Sequence, residues 1–365
     1  MGQTKIKYST QNKPDFMSEL RARVTSYFET NNISKYGDRK LVLKTVFMLS
    51  VYIVPYILMI SGIIESFTGV LICWIATGMG KAGVGMSIMH DANHFSYSKN
   101  KTVNRWMSKS MYLLGGFPKN WQYQHNTMHH GFPNIEGYDE DIDPGPFLRF
   151  SPHKPLHKIH RFQHIYAWFM YGLMTFSWVV SKDFEQLNGY RKSGVPLSSK
   201  TTYTQLFVYL IISKIIYYCI FIVIPILVLP FAWYWISLFF FIMHFVTGLI
   251  LTIIFQTAHV VPTVDYPLPD SEGNMENSWA VHQLHTTSDF APNNKILSWL
   301  IGGLNFQVEH HLFPNISHVH YPAISKLVRE MAQKYGFPYH VQPGFIKAVG
   351  EHGRMLKKLG RIQPL

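Results

Sequence analysis

A run of 50 residues without a charged side chain restricts the fold of this chain more than any other feature. Residues 215–264 contain no Lys, Arg, Asp or Glu, and as one helix they would extend about 75 Å at 1.5 Å per residue. The hydrocarbon core of a bilayer is only about 30 Å thick, so the run must turn back on itself. Pro230 and the aromatic residues of 231–235 suit a turn at the membrane interface. We predict helices over 206–229 and 232–257.

Two more apolar runs predict a second hairpin nearer the N-terminus. Residues 45–64 carry no charge and are long enough to cross a bilayer as a helix. Residues 66–88 are interrupted only by Lys81, whose long side chain we expect to reach the interface. Charged residues make up 15% of the chain, against about 25% in soluble domains. The sequence therefore predicts an all-α integral membrane protein with four transmembrane helices in two hairpins.

The charge distribution predicts the orientation of these spans. With four spans, the N-terminal segment, residues 90–204 and residues 258–365 lie on one side, and all three are rich in Lys and Arg. This side should be cytoplasmic. The apolar run 165–180 is short for a span, so we expect an interfacial or re-entrant helix there. The charged residues that give the net charge of +12 lie between the apolar blocks, so they give no reason to expect nucleic acid as a partner.

The sequence predicts three regions. They are 1–44, a cytoplasmic N-terminal segment; 45–325, the membrane domain; and 326–365, a cytoplasmic C-terminal tail.

Nineteen histidines include three clusters, all on the predicted cytoplasmic side. A single HxxxH pair is expected by chance roughly once in such a chain, but the three histidines of the second cluster are expected in only about one such chain in twenty. For any single histidine a surface role is the simpler interpretation, whereas the three clusters together favour a metal site. The clusters are His90 and His94; His125, His129 and His130; and His310 and His311, with Gln307 ahead of them.

The spacing within each cluster predicts how it binds metal. Residues at i and i+4 project from one face of an α-helix, so His125 and His129 can hold one ion while His130 serves a neighbouring ion. Imidazole suits iron, copper and zinc, and both cysteines lie in apolar runs away from the clusters. Seven histidines are too many for one ion, and an iron pair suits oxygen chemistry. The carboxylates that could orient the ligands are Asp91, Asp139, Asp141 and Glu309.

Four motifs resemble those of the membrane fatty acid desaturases: HDANH at 90–94, HNTMHH at 125–130, FQTAH at 255–259 and QVEHH at 307–311. The glutamine of the last motif is similar to that of front-end acyl desaturases, and the resemblance covers about residues 40–325. It implies a helical cytoplasmic cap with a di-iron centre held by the seven clustered histidines. It further implies Gln307 on or near one iron and His259, rather than His282 or His285, as an additional ligand.

The resemblance also implies an activity, which is the insertion of a cis double bond into a fatty acyl chain with dioxygen and external electrons. Front-end regioselectivity is expected, and the acyl group is carried by a lipid, coenzyme A or an acyl carrier protein. No HPGG sequence of a fused haem domain occurs, so we expect electrons from a separate ferredoxin or b5-type cytochrome. We further expect a bacterial inner-membrane protein with both termini and the active site in the cytoplasm.

Other interpretations of the same residues stay open. A di-iron acyl hydroxylase or acetylenase would use the same ligands, and a non-catalytic metal-binding protein is disfavoured because His244 alone lies mid-span. A further tract contains His153, His157, His160 and His164, but prolines interrupt a helix near its start, so we assign it to packing or surface roles. The aromatic residues that could line an acyl tunnel are Trp121, Tyr123, Trp279 and Phe306.

Overall fold

Four long helices dominate the computed structural model, which describes residues 5–10 and 15–364. Each is long and apolar enough to cross a membrane, which confirms the predicted number of spans. The first span begins earlier than its apolar run, because Arg39 and Lys40 continue the same helix. It ends before Gly62, which adopts a positive φ of 76°. The four spans are Arg39–Ile60, Phe67–Asn93, Tyr203–Val228 and Trp233–His259.

The chain divides into two compact units. The terminal unit comprises the described residues of 1–38 together with 124–167 and 254–365, and the spanning unit comprises 39–123 and 168–253. In the terminal unit, parallel strands Ser288–Phe290 and His340–Gln342 pair. Its α-helices are Phe16–Thr30, Trp279–Thr286, Lys295–Leu300, Gln307–Leu312, Tyr321–Tyr335 and Phe345–Leu359, with 3₁₀-helices Glu140–Ile142, Lys158–Phe162 and His318–His320.

A buried apolar core fixes the helix that carries the third histidine cluster. Val308 and Leu312 of that helix pack with Leu20 near the N-terminus and with Val328 and Met331 near the C-terminus. Residue 326, where the sequence predicts a tail to begin, lies inside the helix Tyr321–Tyr335. Residues from both ends of the chain therefore help to position QVEHH.

Helices of the spanning unit are interrupted in several places. The second span passes through a π-helix at Gly85–Met89 and the third through one at Cys219–Val223. The run 165–180 forms several shorter helices that are not among the four candidate spans. The shorter elements are Lys101–Ser108, Ser110–Leu113, Pro118–Trp121, Met174–Ser177, the π-helix Trp178–Lys182 and Asp183–Lys192, while Gln122–His129 and Gln163–Gly172 each contribute residues to both units.

Lys81 does not reach the interface as its position near a helix end suggested. Its side chain is fully buried, and Nζ lies 2.8 Å from the Tyr217 hydroxyl and 3.2 Å from Nδ1 of His244. The Thr175 hydroxyl donates to the His244 carbonyl at 2.9 Å. A polar group inside a bilayer is costly unless it has partners, and these side chains supply partners for one another.

Close approach of the first two spans depends on Gly80. A Cβ built on Gly80 would lie 2.3 Å from the backbone nitrogen of Tyr52, which is too close for any side chain. Small residues allow such contacts between helices in membranes, where packing rather than the hydrophobic effect drives association. The pairing of these spans therefore requires glycine at this position.

We expect Gly80→Ala to destabilise the protein by about 1–3 kcal/mol, because the new methyl group collides with backbone that must shift. Gly189→Ala is the matched control, since a Cβ there meets nothing within 4 Å and alanine favours the helix. Thermal unfolding of the detergent-solubilised variants measures both. Equal unfolding midpoints in the two variants would contradict the packing argument.

Candidate metal centre

The terminal unit brings together seven of the nine predicted ligands. Every one is at most 6% exposed, although imidazole and amide groups are costly to bury without partners. They come from the segment around residue 125, the end of the fourth span and the helix Gln307–Leu312. The seven are His125, His129, His130, His259, Gln307, His310 and His311.

A π-helix, not an α-helix, carries the second cluster. The segment Gln122–His129 is π-helical, and the His130 amide donates to the His125 carbonyl five residues earlier, at 3.0 Å. Residues five apart therefore face each other, and Nε2 of His130 lies 3.3 Å from Nε2 of His125. The sequence had paired His125 with His129 on an α-helical face. Their ring centroids are indeed only 5.3 Å apart, and the wider helical turn brings His130 to His125 as well. π-Turns of this kind recur at functional sites.

One group of ring nitrogens comes from three separate elements. His129, His259 and His311 each offer a nitrogen within 4.8 Å of the other two, and all three side chains are fully buried. The ring centroids of His129 and His259 are 4.6 Å apart. Three imidazoles in this arrangement suit a transition-metal ion.

A second group lies beside the first. The ring centroid of His130 is 4.8 Å from that of His125 and 4.5 Å from that of His310. His130 also stacks on His311 at 4.4 Å, which connects the two groups. The terminal unit thus holds two adjacent histidine groups.

Hydrogen bonds to the Nδ1 atoms orient these histidines. Nδ1 of His129 lies 3.1 Å from Asp139 Oδ2, and Nδ1 of His311 donates to Gln283 Oε1 at 2.8 Å. His310 Nδ1 lies 3.2 Å from the Tyr321 hydroxyl. Partners of this kind fix the tautomer that presents Nε2 to a metal. The sequence named Asp139 but missed Gln283 and Tyr321, since nothing in their spacing connects them to a histidine.

One buried polar atom fits a metal site because it has no other partner. Among the described residues, His129 Nε2 makes no hydrogen bond. Buried polar atoms are almost always paired, so this unpartnered nitrogen fits a group that could hold a metal ion. His259 lies next to Gln307, which places the amide beside the His129 group.

Carboxylates near the second cluster set its charge. Burial lowers the pKa of His125 below its ordinary value. Burial acts in the same direction on His129, but Asp139 and Asp141 outweigh it and raise the pKa of that ring. Asn134 donates its backbone N–H to Asp139 at 2.9 Å and its side-chain amide to the His259 carbonyl at 3.0 Å. Metal binding needs neutral imidazole, so the raised pKa of His129 makes metal binding at this ring more dependent on pH.

A second buried acidic group supports the third cluster. The Tyr339 hydroxyl lies 2.7 Å from Asp289 Oδ2 and 2.9 Å from Glu309 Oε1, and the Val308 amide donates to Asp289 at 3.0 Å. Burial raises the pKa of Asp289 to about 6 and that of Glu309 well above its usual range, with repulsion from Asp289 adding to the second shift. Glu309 therefore braces its helix and is not a solvated carboxylate.

His90 and His94 lie in the spanning unit, at the end of the second span. Their ring centroids are 4.8 Å apart, and each ring lies about 6 Å from Trp121. Asn93 accepts a hydrogen bond from Gln122 at 2.9 Å. The pair thus presents two neighbouring imidazoles, as its spacing predicts.

Four histidines outside the three clusters have structural partners. His282 Nε2 donates to the Pro133 carbonyl at 2.9 Å, and His285 pairs with Asp265 in a partly exposed position. In the tract after Pro152, His153 and His160 bond to the carbonyls of Tyr266 and Pro146. These contacts agree with the packing role assigned to that tract.

Comparison with known proteins connects this chain to one enzyme family. Residues 65–343 match the family model for fatty acid desaturase. The chain is 32% identical over 346 residues to the sn-1 linoleoyl-lipid 6-desaturase of Arthrospira platensis, covering 94% of this chain and 92% of that protein. It is 33% identical to the acyl-lipid (8-3)-desaturase of Physcomitrium patens, covering 97% and 74%. It is 29% identical to Delta(5) fatty acid desaturase A of Dictyostelium discoideum, covering 95% and 75%.

We expect Asp139→Asn to weaken metal binding by about 10- to 100-fold, because the amide does not stabilise the oriented imidazole as a carboxylate does. Asp143→Asn is the control, since Asp143 is exposed, pairs with Lys154 and accepts a hydrogen bond from the Gly145 backbone, away from the histidines. Metal retained by each purified variant during dialysis against a chelator measures the effect. Equal retention by both variants would contradict the role of Asp139.

We expect Tyr339→Phe to lower the free energy of unfolding by about 1–3 kcal/mol, since two buried carboxyl groups lose their donor. Tyr335→Phe removes a similar hydroxyl that bonds to Glu19 at the surface and should cost less than about 1 kcal/mol. Chemical denaturation of both variants tests the difference. A smaller effect at Tyr339 than at Tyr335 would be inconsistent with the buried carboxyl pair.

Proposed function

Because the chain belongs to the fatty acid desaturase family, we propose that it introduces a cis double bond into a fatty acyl chain at a di-iron centre. The observation that carries this proposal is the group of fully buried histidines, two of which have Nδ1 hydrogen-bonded to Asp139 and Gln283. Such a nitrogen-rich set suits iron that activates dioxygen. The two iron ions would be held by His90, His94, His125, His129, His130, His259, Gln307, His310 and His311, of which His90 and His94 are assigned from the family motif.

The reaction balances with an external reductant. Two C–H bonds on adjacent carbons break and a second C–C bond forms, which yields two electrons and two protons. A donor supplies two more electrons with two protons, and dioxygen is reduced to two waters. The iron pair, when bound, supplies oxygen activation. The residues of this chain hold the ligand rings in one tautomer and keep bulk water away through burial.

The names of the relatives support a lipid-bound substrate and front-end selectivity. The Arthrospira protein is named as acting on a linoleoyl-lipid and the Physcomitrium protein on an acyl-lipid. We propose an acyl-lipid substrate here, with coenzyme A and acyl carrier protein as the alternatives that product analysis separates. Gln307 occupies the glutamine position of the front-end motif, ahead of His310 and His311. This residue supports insertion of the double bond on the carboxyl side of the acyl chain.

The proposal also covers the membrane location of the enzyme and its electron donor. Four candidate spans support a multi-pass membrane protein. The Lys and Arg between the spans favour a cytoplasmic active site and cytoplasmic termini, in a bacterial inner membrane. A separate ferredoxin or b5-type cytochrome would supply the electrons, and the basic surface would attract such an acidic donor.

We expect His129→Ala and His310→Ala each to abolish desaturation and to reduce bound iron, because each removes a buried ligand. His164→Ala is the control, since this histidine lies outside the three clusters. Fatty-acid profiles of a host expressing each variant, read by mass spectrometry with iron analysis of the purified proteins, test this. Full activity in either ligand variant would refute the ligand assignment, and a hydroxylated product without an alkene would refute desaturation.

A further inference from the structure

An open groove on the terminal unit lies outside the histidine groups. Its volume is about 780 Å³, which is within the range of about 300–1,000 Å³ for small-molecule sites. Among the described residues, no acidic side chain lines it. The lining residues are Leu156, His157, Lys158, Arg161, Phe162, Gly360 and Arg361.

Two fully buried polar side chains join the walls of this groove. The Arg149 guanidinium donates to the carbonyls of Pro152 at 2.6 Å, Lys154 at 2.8 Å and Ile362 at 3.0 Å. The Gln163 amide donates to the Leu356 carbonyl at 2.8 Å. Segments that are about 200 residues apart in sequence are thereby held together. The groove is a fixed part of the fold, and a preorganised site loses less free energy when it binds a ligand.

Gly360 allows the two walls to approach closely. A Cβ at this position would lie 2.0 Å from the backbone oxygen of His160, so no other residue fits without a shift. The contact brings Arg361 to the same groove as Arg161. The backbone packing therefore holds like charges together, which costs free energy unless an anion is present.

Within the described part of the chain, no acidic side chain neutralises the cations of the groove. Nearby, Lys154 pairs with Asp143, but no described carboxylate forms an ion pair with Lys158, Arg161 or Arg361. Three flexible cationic side chains around one cleft match the several oxygens of a phosphate group. The charge pattern therefore favours binding of an anionic ligand.

Exposed apolar side chains beside these cations identify the source of the anion. Ile159 is 46% exposed, Phe162 55% and Ile165 65%, and the Arg161 guanidinium lies 5.9 Å from the Phe162 ring. A free phosphate would gain nothing from such side chains, whereas a lipid has acyl chains for them to contact. Basic residues next to aromatic and aliphatic ones are typical of membrane interfaces. We propose that this groove binds the phosphate headgroup of an anionic phospholipid.

The test compares lipids that differ only in headgroup charge. Native mass spectrometry of the full-length protein in detergent would count bound phosphatidylglycerol and phosphatidylcholine with identical acyl chains. We expect wild-type protein to bind phosphatidylglycerol about tenfold or more tightly than phosphatidylcholine. The variant Lys158→Gln/Arg161→Gln/Arg361→Gln should bind both lipids alike.

A matched variant separates this site from general charge. Lys326→Gln/Arg329→Gln/Lys347→Gln removes three exposed cations of the same unit that lie outside the groove, and it should keep the preference. Should the groove triple variant unfold, Arg361→Gln alone should still reduce the preference several-fold. Unchanged binding in the groove variants, or equal loss in the matched variant, would overturn the proposal. Displacement by millimolar inorganic phosphate as effective as displacement by lipid would overturn the lipid assignment in favour of a free anion.

Discussion

The burial of histidine side chains is the constraint on which the terminal unit depends. A buried imidazole needs a partner on both ring nitrogens, or its burial is unfavourable. His129 and His311 satisfy Nδ1 with Asp139 and Gln283, and both rings belong to a histidine group that could hold a metal ion. A bound ion would give the buried Nε2 of His129 a partner.

The surrounding helices maintain this arrangement. The helix that carries His310 and His311 is held by a core formed from Phe16–Thr30 and Tyr321–Tyr335, and Tyr321 also contacts His310. The acidic pair with Tyr339 fixes the other side of the same helix. Residues remote in sequence therefore determine the directions of the ligands, and the chain beyond residue 325 is part of this support.

In the spanning unit, buried polar side chains of the membrane helices also have hydrogen-bond partners. Lys81, Tyr217 and His244 form a buried network, and Lys214 bonds to Asp183 at 2.5 Å. Apolar length alone predicted these spans correctly but did not disclose that their lysines point inward. Side-chain direction depends on which helices pack together, and Gly80 shows how close that packing is.

The sequence by itself determined the number of spans, the three histidine clusters and the family, because apolar length and local motifs are encoded in contiguous residues. Tertiary structure alone decided that His125 faces His130, since the preference between an α-turn and a π-turn at Gln122–His129 is too small to read from composition. It also decided the roles of Gln283 and Tyr321 and the joining of residues 156–162 to Gly360 and Arg361. These contacts connect distant segments, and their geometry follows only from the packed core and its hydrogen bonds.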